Sequence, residues 1–240
     1  MDLSFNKTDN SSTRYLSLDF IRGIAIFLMI VFHLCFNLHH FQFIDINIYH
    51  SSFWHYFRYS IVTIFLLCVG ISLYISNTNG INYSKTLKRF LTLSIASIVI
   101  SVATYFIFPN SWIYFGVLHF ITLSSILGLP FVSKPIISLI VGFLIILGWN
   151  LGLLHMHWLF DISKEMLNLP STTEDLVPLT PWFGVVLIGI FIGKTKAYVF
   201  HLKISFVIKG ISKLGENSLI IYLAHQPILF GFIFLIYKLN

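Results

Sequence analysis

The chain is 240 residues long, 57% hydrophobic and only 10% charged, with 25 phenylalanines and a mean hydropathy of +0.86. Soluble domains carry roughly a quarter charged residues, and a fold of this size leaves about a quarter to a third of its surface exposed. Ordinary soluble enzymes, disordered tails and secreted disulfide scaffolds are therefore excluded, and an integral membrane protein of several helices remains. The net charge of +6 reads as the positive-inside bias of such a protein, and no nucleic-acid partner is expected.

A polar stretch, residues 1–13, opens the chain before any apolar run. The order of a cleavable signal peptide is missing, so the first apolar segment is expected to be retained. Seven stretches are then read as bilayer spans, each needing about 20 apolar residues. They are Leu16–Leu38, Phe53–Ser76, Phe90–Phe108, Trp112–Val132, Pro135–Leu154, Trp182–Lys194 extended on its N-terminal side, and Asn217–Tyr237. Pro178 and Pro181 precede the sixth, the shortest, and predict an irregular start. The runs are continuous and about twice the length of an alternating strand, which excludes a β-barrel. Cys35 and Cys68 fall inside apolar segments and read as small core residues. The expected fold is all-α, a single domain over 1–240 built as a bundle of about seven transmembrane helices.

Lysine and arginine set the orientation. Lys7 and Arg14 precede the first span; Lys85, Lys88 and Arg89 fall between the second and third, and Lys134 between the fourth and fifth. Lys194, Lys196, Lys203, Lys209 and Lys213 fall between the sixth and seventh, leaving Arg58, Lys164 and Lys238 on the other side. This puts the N-terminus in the cytoplasm. The outer loops then hold Asp45, Asp161, Glu165, Glu174 and Asp175, and also His39, His40, His50, His55, His155 and His157. Loop histidines suit either proton transfer near neutral pH or a wet membrane interface.

The first span carries Asp19, Arg22 and His33. Ionisable groups in hydrocarbon are costly and face a bundle interior or a water-filled cavity. Arg22 and His33 are eleven residues apart, close to three turns, so they share a helix face about 16 Å apart along the axis. That face offers a fixed cation at one end and a base at the other. Asp19 can pair with Arg22 across one turn. A neutral Asp19–Arg22 pair at the interface accounts for those two residues, but not for His33 on the same stripe. His119 sits at a depth similar to His33 in its own span.

Five motifs follow one another along the chain: Arg14-x4-Asp19-x2-Arg22-Gly23-x-Ala25-x3-Met29-x3-His33; Phe65-x4-Gly70-Ile71-Ser72-Leu73; Tyr114-Phe115-Gly116-Val117-Leu118-His119; Asp175-x2-Pro178-Leu179-x-Pro181-Trp182-Phe183-Gly184; and Gly215-x-Asn217-Ser218-Leu219-x2-Tyr222-Leu223-x-His225-Gln226-Pro227. Together they resemble the heparan-α-glucosaminide N-acetyltransferase catalytic-domain-like family of the transmembrane acyltransferase superfamily. The resemblance covers about residues 14–230. It implies an acyltransferase that moves acetyl from cytoplasmic acetyl-CoA to an amine or hydroxyl of a sugar or glycan outside, in the inner membrane of a bacterium-like cell. Where the family has aspartate four residues beyond the histidine, this chain has Asn37; where it has tyrosine after the loop aspartate, this chain has Leu176. Lysosomal members have asparagine at the place of His33 and a histidine in the following loop, where this chain has His50 and His55.

In this frame Arg22, Lys85, Lys88 and Arg89 are the candidate acetyl-CoA residues, because arginine grips phosphate in a bidentate fork. Plain positive-inside topology is the favoured reading of the last three. The candidate catalytic residues are His33, His119, His50 and Asp175: a histidine to deprotonate the acceptor or carry the acetyl group, and a carboxylate to orient a histidine or bind a sugar hydroxyl. A loop carboxylate or helix cap is the plainer reading of Asp175. His225 and Gln226 read as partners for backbone freed near Pro227. No metal is expected. His155-x-His157 with His39-His40 is a loose zinc pattern, and a proton-coupled carrier is the rival from another class, although no inverted repeat supports it. The bilayer is one expected partner, and a homo-oligomer is left open.

Overall fold

The computed structural model describes residues 15–155, 162, 164, 166, 169–203 and 205–239. Lys7, Arg14, His157, Asp161 and Glu165 lie outside the described residues. The described elements are all helical: α1 (Leu16–His40), α2 (Ser52–Asn77), α3 (Tyr83–Ile107), α4 (Val117–Leu127), α5 (Leu129–Val132), α6 (Pro135–Asn150), α7 (Leu179–Thr195), α8 (Phe206–Glu216) and α9 (Ser218–Leu239). The expected all-α architecture is therefore observed, and the chain is an integral multi-pass membrane protein.

Four helices, α1, α2, α3 and α9, are long and apolar enough to cross a bilayer. The other three expected spans appear as shorter apolar helices, α4, α6 and α7, of 11, 16 and 17 residues. At 1.5 Å per residue, α4 is only about 16 Å long, against a hydrocarbon core of about 30 Å. The fourth expected span, Trp112–Val132, loses its first five residues to loop because α3 and a later loop satisfy the backbone there. Ser101 Oγ donates to the Ile113 carbonyl at 2.7 Å, and the Ile113 N–H donates to Thr104 Oγ at 3.0 Å. From the other side, Thr173 Oγ donates to the Trp112 carbonyl at 3.0 Å.

Two further boundaries differ from the sequence reading. Helix α3 starts at Tyr83 rather than Phe90, capped by the Asn82 side chain, which accepts the Lys85 N–H at 3.0 Å. Lys85, Lys88 and Arg89 therefore sit on its first two turns, not in a loop. The stretch read as one basic loop between the last two spans contains α8. Ser205 caps it by accepting the Ile208 N–H at 3.3 Å, and Ile208, Ile211, Ser212 and Gly215 turn inward at helical spacing.

Glycines set the close helix contacts. A Cβ at Gly70 would overlap the Val186 carbonyl, and one at Gly189 would lie 2.5 Å from the Leu67 carbonyl, so α2 and α7 touch backbone to backbone. Gly23 and Gly215 do the same for α1 and α8, each facing a carbonyl of the other helix, Ile211 and Asp19. Small residues allow this approach where lipid supplies no hydrophobic drive between helices. Leu66, Leu73, Phe120, Val186, Leu187 and Ile190 fill the core, while Ile95, Ile98, Val99 and Val102 leave one face of α3 exposed, as a lipid-facing surface requires.

Candidate functional site

One face of α1 meets the α8–α9 pair along most of its length. Arg22 meets Gly215, His33 meets His225 and Asn37 meets Gln226. The site is built along this seam, with a cationic end at Arg22 and a histidine end at His33.

At the cationic end the Arg22 guanidinium is fixed by three bonds. Nη1 donates to Asp19 Oδ1 at 3.0 Å and to the Gly215 carbonyl at 3.5 Å, and Nη2 donates to Ser72 Oγ at 2.8 Å. Ser72 and Gly215 come from two of the motifs, and the fold brings both to Arg22. The guanidinium lines a cavity of about 280 Å³ together with Cys68, Ser72, Arg89, Ser218 and Tyr222. A second hollow of about 340 Å³ shares its Arg89, Leu93 and Leu219 walls and adds Lys85, Lys88 and Thr92. Pockets of about 300–1,000 Å³ hold small molecules.

All four residues read as acetyl-CoA contacts thus border two neighbouring hollows that share Arg89, Leu93 and Leu219 as lining. Arg89 makes no ion pair or hydrogen bond among the described residues. The first turn of α3 has no acidic residue, so the positive end of its dipole is reinforced by Lys85, Lys88 and Arg89 rather than offset. The site has an excess of positive charge that an anion would relieve.

At the histidine end the His33 and His225 rings lie 4.9 Å apart, centroid to centroid, tilted by 59°. His225 Nδ1 is 2.7 Å from the Tyr222 carbonyl. A carbonyl only accepts, so that nitrogen carries the proton. His225 Nε2 and His33 Nδ1 are both buried without a hydrogen-bond partner. An orphaned buried polar atom costs about 1–3 kcal/mol, and two of them on rings 4.9 Å apart call for an explanation. The sequence reading of His225 captures half of its position: it satisfies a backbone carbonyl, yet its other nitrogen is left unsatisfied. The missed signal is the Tyr222-x2-His225 spacing, which lets the ring fold back onto the preceding turn.

Asp175 ties the two ends to the loop. Its Oδ2 accepts the Val117 N–H at 2.9 Å and the Tyr222 hydroxyl at 3.5 Å. Burial pushes its carboxyl above the usual carboxylate range, opposed by the Val117 N–H, by Arg58 and by the Tyr222 hydroxyl. A Cβ at Gly116 would lie 2.5 Å from Oδ2, which is why glycine precedes Val117. His119 stands in the same loop with both ring nitrogens engaged. Nδ1 accepts the Gly116 N–H at 3.3 Å and Nε2 faces Ser101 Oγ at 3.0 Å. Because Ser101 gives its proton to Ile113, His119 Nε2 is the donor in that contact. His50 lies exposed in the 41–51 loop, its backbone N–H on Asn47 Oδ1 at 3.1 Å, and its ring makes no contact with the His33–His225 pair.

Tyr222 stands between the two ends. It lines the cavity, its ring lies 5.7 Å from that of His225, and its hydroxyl reaches Asp175. Among the described residues no cluster of three or more His, Cys, Asp or Glu is placed to hold a metal.

No curated protein and no solved structure matches the chain. The family model described as Heparan-alpha-glucosaminide N-acetyltransferase, catalytic, matches residues 14–227, from the first helix through Pro227, and the chain belongs to that family.

Proposed function

We propose that the protein transfers acetyl from acetyl-CoA to an amine or hydroxyl of a sugar or glycan on the opposite side of the membrane. The family uses acetyl-CoA as donor and carries acetyltransferase-type activity. The observation that carries the reading is the cationic pair of hollows: Arg22 and Arg89 border one, Lys85, Lys88 and Arg89 the other, and Arg89 makes no hydrogen bond or ion pair among the described residues. The nucleotide phosphates sit at Lys85, Lys88 and Arg89, the pantetheine arm runs past Arg22, and the thioester reaches toward Tyr222 and His33. His33 takes part in the proton transfers that accompany acetyl transfer. Asp175 and His119 act as positioning residues for the loop that closes this end. The lysine and arginine asymmetry puts the N-terminus and the donor in the cytoplasm.

The test is acetyl-CoA binding to detergent-purified protein. Wild type is expected to bind, Arg22→Ala to bind at least tenfold more weakly, and His33→Ala to bind like wild type without transferring acetyl. A folded wild type that binds no acetyl-CoA at millimolar ligand overturns the reading and puts a membrane carrier first.

A further inference from the structure

We propose that His225 is the base that takes the acceptor's proton, and that His33 opposite it passes a proton to the departing CoA sulfur. The assignment rests on the acetyltransferase reading and deepens it by dividing the acid and base roles between two imidazoles.

The fold of α9 fixes the tautomer of His225. His225 Nδ1 gives its proton to the Tyr222 carbonyl at 2.7 Å, which leaves the lone pair on Nε2. That atom is buried, unpartnered and beside the His33 ring. A backbone carbonyl here does what a carboxylate does in other histidine dyads: it holds the ring in one tautomer and orientation. His33 presents an equally unpartnered Nδ1 from the other wall. The two rings make no hydrogen bond to each other, so a donor group on a substrate is what each one lacks.

Few titratable groups neighbour the pair among the described residues. Across the seam α1 presents His33 and, one turn beyond Asn37, His40, whose ring lies 6.0 Å from Phe230. On α9 itself the titratable neighbour is Tyr222, whose hydroxyl is turned away to Asp175 of the loop. The next turn is filled by the uncharged amides of Asn37 and Gln226, bonded to one another at 3.1 and 3.5 Å. Among the described residues no carboxylate pairs with either imidazole, so no ion pair holds one of them as a cation.

The step balances within the pair. The acceptor's nitrogen or oxygen attacks the thioester carbonyl, forming the new bond to acetyl while the carbon–sulfur bond breaks. Its proton goes to His225 Nε2. His225 hands that proton to the bare His33 Nδ1, and the imidazolium so formed gives it to the CoA thiolate, leaving both rings neutral.

The experiment uses the full chain in detergent, with glucosamine as probe acceptor. His225→Gln and His225→Asn are expected to bind acetyl-CoA within threefold of wild type, lose about a hundredfold or more in acetyl transfer, and lose the acid limb of the kcat/KM–pH profile. Independently of any acceptor, nitrogen-15 spectra of labelled histidines are expected to show a protonated Nδ1 and bare Nε2 at His225. A His225 that carries its proton on Nε2 overturns the assignment. So do variants that keep transfer and the acid limb, or variants that lose acetyl-CoA binding, which makes the role structural. A wild type that binds no acetyl-CoA overturns the underlying reading as well, and so is told apart from failure of this assignment alone.

Discussion

Asn37 and Gln226 exchange amide hydrogen bonds one turn beyond the histidine pair, and Asn37 is fully buried. An amide pair of this kind is satisfied without charge and so adds none one turn from the imidazoles. Asn37→Asp puts a carboxylate there. A negative neighbour favours imidazolium and raises a histidine's titration point by about 1–3 units, so the base stays protonated to higher pH. The acid limb of kcat/KM is expected to move upward by about a unit, and thermal stability to fall as Gln226 loses a donor. A pH–rate profile of the variant beside wild type checks this; an unmoved limb would mean that neither histidine of the pair is the base.

Helices matter here through their ends. The first two turns of α3 carry Lys85, Lys88 and Arg89 with no acidic residue, an arrangement that works against the helix dipole. The same residues border the hollow at the cationic end. Their two effects have opposite signs, which separates function from stability. Lys88→Glu is expected to stabilise the start of α3 by roughly 0.3–1 kcal/mol and to weaken acetyl-CoA binding about tenfold or more. Thermal melting and calorimetric titration of the one variant read both. If Lys88 only served topology, binding would not change. At the other end of the site, the break between α8 and α9 at Asn217 aims the Gly215 carbonyl at Arg22 and places Ser218 in the cavity wall, which one continuous helix would not do.

Across the whole molecule, the charged and the neutral ends of the site lie on one seam but answer differently to solvent. Lys85 and Lys88 are exposed, and exposed charges are screened within about 8–10 Å at ordinary salt. At the histidine end His225 is buried and His33 half-buried, and neither pairs with a charged group among the described residues. Raising salt from 50 to 500 mM is therefore expected to raise the KM for acetyl-CoA several-fold and to leave kcat within about twofold. Steady-state kinetics across that range test the division. A kcat that falls in step with binding would mean that the chemistry also depends on exposed charge.

What the sequence by itself determined is what local composition and spacing control. Continuous apolar runs require membrane helices because unpaired backbone is too costly in lipid. An eleven-residue separation places Arg22 and His33 on one face because the helix repeats every 3.6 residues. The tertiary structure decided what depends on packing between distant segments. Whether residues 112–116 are helix or loop turned on Ser101, Thr104 and Thr173 reaching their backbone. Whether Lys85, Lys88 and Arg89 line a hollow turned on α3 starting early and lying beside Leu219. His225 read as a residue serving its own backbone until α1 and α9 set it 4.9 Å from His33. A histidine's chemistry is set by what faces its second nitrogen, and across this seam that group lies 192 residues away in the chain.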